Sequence, residues 1–143
     1  MEFIYSSGGR EKYYRVIKVG DCVTRAIANA TGKDYKEVYD LVNNYAARER
    51  KIRGRSRSSA RDGVESDTIR RILKDMGWKW VSTMYIGKGC QMHLNENELP
   101  KGILIVKVSK HLTCVKDGKL YDTYDCTRDG RRCVYGYWMK EVK

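Results

Sequence analysis

The chain has 143 residues, 41% of them hydrophobic and 33% charged, with 29 Lys and Arg against 18 Asp and Glu for a net charge of +11. That length holds one compact domain with a proper core, and no apolar run is long enough to span a bilayer. The positive balance favours acidic partners, namely nucleic acid, anionic proteins or an anionic membrane surface, without choosing among them.

Residues 1–20 are expected as short extended pieces around the Ser6-Ser7-Gly8-Gly9 turn. No signal peptide is expected, because "MEFIYSSGGREKYY" has no apolar h-region. A cytoplasmic protein follows. Its five cysteines, Cys22, Cys90, Cys114, Cys126 and Cys133, are then expected as thiols, metal ligands or catalysts rather than disulfides. A first helix covers 22–30, where Val23, Ala26, Ile27 and Ala30 share one face and Gly32 is a natural C-cap. Asp34 and Glu37 read as a capping box for a second helix, with Tyr35, Val38, Tyr39, Val42 and Ala46 as its apolar stripe.

Residues 48–63 are expected to form a basic mobile loop, because Gly54, Ser56, Ser58 and Ser59 break any regular pattern. Arg48, Arg50, Lys51, Arg53, Arg55, Arg57 and Arg61 are too alike in charge to pack together in a core. They are the candidate partner-binding residues. Against nucleic acid they would meet phosphates without reading sequence. A third helix is expected over 66–76, with Ile69, Ile72, Leu73 and Met76 inward and Gly77 ending it.

After Gly77 the period changes to two. "WKWVSTMYIG" reads as a strand and "ILIVKVS" as a central strand. "HLTCVKDGKLYDTYD" reads as a hairpin turning at Asp117-Gly118, and "CVYGYWM" as a last strand. Helices first and an antiparallel sheet second make an α+β domain spanning 1–143, with no internal repeat.

Cys22 opens the first helix. There it meets the positive end of the helix dipole and free backbone N–H groups, which favour the nucleophilic thiolate. A thiolate nucleophile needs a base, usually histidine, and the chain has two, His93 and His111. If Asp117 and Gly118 are the two loop residues, Lys116 faces Lys119, Thr113 faces Asp122 and His111 faces Tyr124. Alternation then puts His111, Thr113, Asp122 and Tyr124 on one strand face and Asp125 on the other. Asp122 becomes the diagonal neighbour of His111. A one-residue slip of the turn would substitute a different carboxylate. The candidate triad is Cys22 as nucleophile, His111 as base and acid, and Asp122 as the group orienting the imidazole.

The stretches "GDC" at 20–22 and "HLTCVKDGKLYD" at 111–122 resemble the papain-like cysteine peptidase superfamily, in the compact arrangement of the bacteriocin-leader peptidases. "DCVTRAIANATGKDYKEVYDLV" and "SKHLTCVKDGKLYDTYD" are also similar to small bacterial and phage proteins. The resemblance runs from about Val19 to the C-terminus. It implies a helical half bearing the Cys and a sheet half bearing the His and Asp. It implies acyl transfer at an amide of a protein or peptide substrate, with no cofactor. The family usually places a Gln or similar side chain before the Cys to complete the oxyanion hole. No Gln or Asn precedes Cys22 here, and the sole Gln is Gln91. The Cys22 backbone N–H supplies one donor and the second is unassigned.

Two other readings compete. "CQMH" has ligand-like spacing for zinc at Cys90 and His93, but Cys126 and Cys133 are too widely spaced for a second short pair. A non-catalytic nucleic-acid- or protein-binding module would use the basic segment on an enzyme-like scaffold. "GKG" at 87–89 lacks the pattern of a phosphate loop.

Overall fold

The computed structural model describes residues 1–15, 20–51, 53–54 and 56–140. Its elements run β1 (Glu2–Tyr5), α1 (Cys22–Thr31), α2 (Tyr35–Ala46), α3 (Ser66–Asp75), β2 (Trp78–Ser82), β3 (Met84–Tyr85), β4 (Gly89–Cys90), β5 (Ile103–Val108), β6 (His111–Lys116), β7 (Lys119–Asp122) and β8 (Val134–Lys140), with a 3-10 turn at Arg10–Lys12. The class is α+β.

The three helices form where apolar residues repeat at helical spacing. Val23, Ile27, Val38, Val42, Ile69, Ile72 and Leu73 are all buried, and they pack with Ile105, Leu112, Cys114 and Trp138 of the sheet in one core. The helices therefore share one face of the sheet. A second core lies on the opposite face, where Leu104, Val106, Val108, Val115, Leu120 and Val134 meet Leu94, Leu99 and Cys126 from the connecting segments. Continuous apolar strands such as β5 are what burial on both faces requires.

Helix ends differ in how they are capped. Gly32 sits in the left-handed region at φ 72°, and its N–H returns to Ala28 O at 2.9 Å, the αL cap that glycine adopts without a Cβ penalty. The capping box expected at Asp34 and Glu37 does not form; Asp34 makes no side-chain cap. The reason is competition: both Asp34 carboxylate oxygens accept the Tyr13 hydroxyl at 2.7 Å.

The main sheet has the strand order β1-β7-β6-β5-β8-β2. It is mixed, which corrects the expectation of an antiparallel sheet. β1 pairs parallel with β7, Glu2 facing Lys119 and Tyr5 facing Asp122, while the other neighbours are antiparallel. β3 and β4 form a separate two-stranded ribbon. The β6–β7 turn has Asp117 at φ 47° and Gly118 at φ 78°, the two positive φ angles of a type I′ turn. It sets Lys116 opposite Lys119 and Cys114 opposite Tyr121. Trp80 stacks across Trp138 at 4.4 Å between ring centroids and lies directly over Gly136, where any Cβ would collide with its ring.

The cysteine expectation also needs correction. Cys90 and Cys133 are joined in a disulfide, their Cα atoms 5.9 Å apart, while Cys22, Cys114 and Cys126 are free. Sequence spacing hides this pair because the two residues lie 43 positions apart and meet only through tertiary folding. No helix among the described residues is long and apolar enough to cross a membrane.

Candidate active site

His111 is the first residue of β6 and Asp122 the last of β7, so both lie at one end of the sheet. The turn at Asp117-Gly118 fixes that register. His111 Nε2 donates to Asp122 Oδ2 at 2.7 Å, and the Thr113 hydroxyl donates to the same oxygen at 2.7 Å. The backbone N–H of Thr123 donates to Oδ1 at 2.7 Å. All three side chains of this cluster are buried. Tyr124 packs on the imidazole at a tilt of 48°, 5.2 Å between centroids, and is itself half exposed.

The N-terminal turn of α1 reaches the same end of the sheet. Cys22 lies close enough to the His111 ring and the Leu112 backbone N–H for both to act on its proton affinity, and it is only partly buried. With Nε2 engaged by Asp122, the other ring nitrogen is the one left for sulfur. The first helical bond is Arg25 N–H to Asp21 O at 3.0 Å, so the N–H groups of Cys22, Val23 and Thr24 have no partner within the helix. The structure thus brings Cys22, His111 and Asp122 together.

A chain of alternating charge supports this group. Asp21, the residue before the thiol, is fully buried. It accepts Arg10 Nη1 at 3.1 and 3.3 Å, the Tyr35 hydroxyl at 2.7 Å and Arg25 Nη1. Arg25 Nη2 in turn reaches Asp122 Oδ1 at 3.4 Å. Arg10, Asp21, Arg25, Asp122 and His111 therefore run cation, anion, cation, anion, imidazole toward the thiol. Of these, Arg10, Arg25 and Tyr35 carry no clear sequence signal. The i,i+4 spacing of Asp21 and Arg25 is the one available clue.

Proton affinities follow from this packing. Burial alone would raise the Cys22 pKa, but the His111 hydrogen bond and charge, the Leu112 N–H and Arg25 lower it below the ordinary thiol value. Burial works against a charged His111, yet Asp122, Cys126 and Cys22 push its pKa up to about 11. Burial opposes the Asp122 carboxylate too, and His111, Thr113 and the Thr123 N–H hold it in the ionised form with a lowered pKa. These directions all favour the ionised forms of the thiol, the imidazole and the carboxyl group.

Cys126 also belongs to the site, and no sequence pattern marks it. Its thiol points at Asp122 Oδ2 from 3.7 Å. His111, Asp122 and Cys126 offer three ligand atoms within 4.8 Å of one another, a set with the chemistry to hold a soft divalent ion. The Asp122 oxygens, however, already accept His111, Thr113, the Thr123 N–H and Arg25, and the guanidinium beside them repels a cation.

The basic segment is separate from this site. Arg48, Arg50, Lys51, Arg53, Arg57 and Arg61 are exposed, and Arg55 lies outside the described residues. Arg48 stacks on the Tyr45 ring at 4.8 Å. The 58–63 end, expected as part of the mobile loop, is tied to the helices. Ala60 N–H donates to Asn43 Oδ1 at 2.8 Å, and the Thr24 hydroxyl donates to Ala60 O at 3.0 Å. Ser58 N–H donates to Glu49 Oε1 at 2.8 Å. This end also backs the site: a Cβ on Gly20 would lie 3.0 Å from Asp62 O, which explains the small residue two before the thiol.

No family model, curated protein or solved structure matches the chain. The site's chemistry must therefore be argued from its geometry.

Proposed function

We propose that the protein is a cysteine-dependent amide acyl-transfer enzyme, a peptidase, isopeptidase or deamidase, with Cys22, His111 and Asp122 as its triad. One observation carries the reading: a partly exposed thiol at a helix N-terminus lies beside a histidine whose Nε2 is held by a buried carboxylate at 2.7 Å. The resemblance of "GDC" and "HLTCVKDGKLYD" to papain-like peptidases points the same way.

The Cys22 thiolate attacks the carbonyl carbon of the substrate amide. The oxyanion that forms faces the unpaired N–H groups at the start of α1, led by that of Cys22 itself. His111 gives its proton to the leaving nitrogen, the C–N bond breaks, and an acyl thioester remains on Cys22. Water or an amine then adds to the thioester as His111 takes a proton from it. Collapse of the adduct returns the thiolate–imidazolium pair. Asp122 holds the ring through both transfers without leaving its ionised state.

The exposed arginines favour a second function on the same chain, recruitment of an acidic protein or nucleic acid. In the non-catalytic alternative that recruitment is the whole activity.

The test is acyl transfer from an activated ester. Mixing the chain with p-nitrophenyl acetate should give a burst of nitrophenolate matched by acetylation of Cys22 alone in the mass spectrum. His111→Ala should slow the burst by about 10²-fold or more. Acetylation spread over lysines with no burst would refute the proposal and favour the binding module.

A further inference from the structure

Independently of the triad, we infer that Cys90, Cys133 and His93 form a redox-gated zinc site, with Glu98 orienting the histidine. Each part of the site is placed by the fold. His93 and Cys133 oppose one another in an isolated antiparallel bridge. Its flanking bonds are Leu94 N–H to Arg132 O and Val134 N–H to Met92 O, both 2.8 Å. This is the narrow, non-hydrogen-bonded kind of pair, in which facing Cα atoms lie about 4.5 Å apart and side chains on one face are close. Cys90 completes the group from β4: its sulfur bonds Cys133 and lies 3.7 Å from His93 Nε2. Three soft donors thus converge from segments brought together by long-range pairing, although their sequence spacing matches no paired short motif.

The remaining histidine nitrogen is also placed. His93 Nδ1 pairs with Glu98 Oε1 at 3.2 Å, and the His93 backbone N–H donates to the same oxygen at 3.0 Å. Asn95 Nδ2 holds the other Glu98 oxygen at 2.5 Å. A carboxylate on the far nitrogen of a ligating histidine fixes its tautomer and raises its basicity. Nε2, the nitrogen turned toward the cysteine, is left free to bind. Two thiolates and an imidazole suit zinc, and the fourth position falls to water. The Met84 thioether lies beside Cys133, 3.7 Å between the sulfurs, and adds a soft wall.

The two states exclude each other. A thiol reductant breaks the S–S bond by delivering two electrons and two protons. Zn²⁺ then replaces both protons and forms two Zn–S bonds. Hydrogen peroxide reverses this: the thiolates lose two electrons, the S–S bond re-forms, Zn²⁺ leaves, and the peroxide with two protons becomes two waters. In either state the β3–β4 ribbon stays fastened to the start of β8.

The chain reduced with a phosphine and stripped of reductant should take up one Co²⁺ with a thiolate-to-cobalt charge-transfer band, and Zn²⁺ should displace it. The oxidised chain should show no such band. Glu98→Gln should weaken zinc binding by about 10–100-fold, and His93→Ala by more. His93→Ala keeps both cysteines, so circular dichroism of its oxidised form checks that the chain still folds. No thiolate band in the reduced chain overturns the inference. So does a band that survives His93→Ala and Cys133→Ser unchanged but is lost in Cys126→Ser, which would place the ion beside His111 and Asp122.

Discussion

At the scale of single residues, His111 joins stability to chemistry. Its pKa is pushed up to about 11 in the folded chain, against about 6.5 for a free imidazole. A group whose folded pKa is raised gives its full stabilisation below the unfolded value and loses it as pH climbs to the folded value. Cys22 has the opposite sign: its lowered pKa adds stability until the unfolded thiol ionises near about 8.5. The two offset one another up to that pH, and above it the histidine alone remains. Wild type should therefore lose stability with rising pH more steeply than His111→Gln between about pH 8.5 and 11. Parallel denaturation midpoints for the two chains across that window would contradict a charged, paired His111. Asp122 acts at the other end of the scale. Its lowered pKa stabilises the fold above the ordinary carboxylate range, and that contribution is lost as acid protonates it.

Among the elements, β1 has the most leverage for its length. Four residues, Glu2–Tyr5, cover the edge of β7, and the Ser6 N–H donates to Asp122 O at 2.8 Å. Without it β7 becomes an open edge and the backbone at Asp122 loses a partner. Deleting residues 1–5 should raise amide exchange in β7 by about tenfold or more while β5 stays protected. Unchanged exchange in β7 would show that the parallel pairing contributes nothing. The helices and the β6–β7 hairpin can be read from sequence because their signals are local: apolar spacing, Gly32 as a stop, Asp117-Gly118 as a turn. That turn alone is enough to place His111, Thr113 and Asp122 on one face. The pairing of β1 with β7 has no local mark, since parallel neighbours far apart in sequence share no turn. The same holds for Arg10 on Asp21, Cys126 beside Asp122 and the Cys90–Cys133 bond. Asp34 shows the reverse case, a correct local cap pattern taken over by Tyr13 from an earlier segment.

For the whole molecule, the two cores keep the two candidate sites apart. The helix-side core sets the N-terminus of α1 over one end of the sheet, where Cys22 meets His111 and Asp122. The opposite core holds Leu94 and Leu99 from the segment that also carries His93 and Glu98. The excess charge of +11 is concentrated in part on the basic segment at 48–61, attached beside the site through Asp62 and Ala60 but contributing none of its arginines to the triad. Neutralising Arg53, Arg55 and Arg57 to Gln should leave Cys22 chemistry nearly intact. It should lower the slope of log affinity for duplex DNA against log salt by about 0.9 for each phosphate that is no longer neutralised. Superimposable salt curves would mean that these arginines do not choose a partner.

Everything proposed for the site depends on Cys22 being held as a thiolate by His111. That pairing is tested most directly by the rate of iodoacetamide labelling against pH, mapped to each of the three free cysteines by mass spectrometry. Cys22 should react before Cys114 and Cys126, with a rate that levels off below the ordinary thiol pKa of about 8.5. His111→Ala should abolish that plateau and slow Cys22 by about tenfold or more near neutral pH. If Cys22 stays unmodified in the folded chain, or reacts identically with and without His111, it is a structural thiol and the proposed triad is wrong.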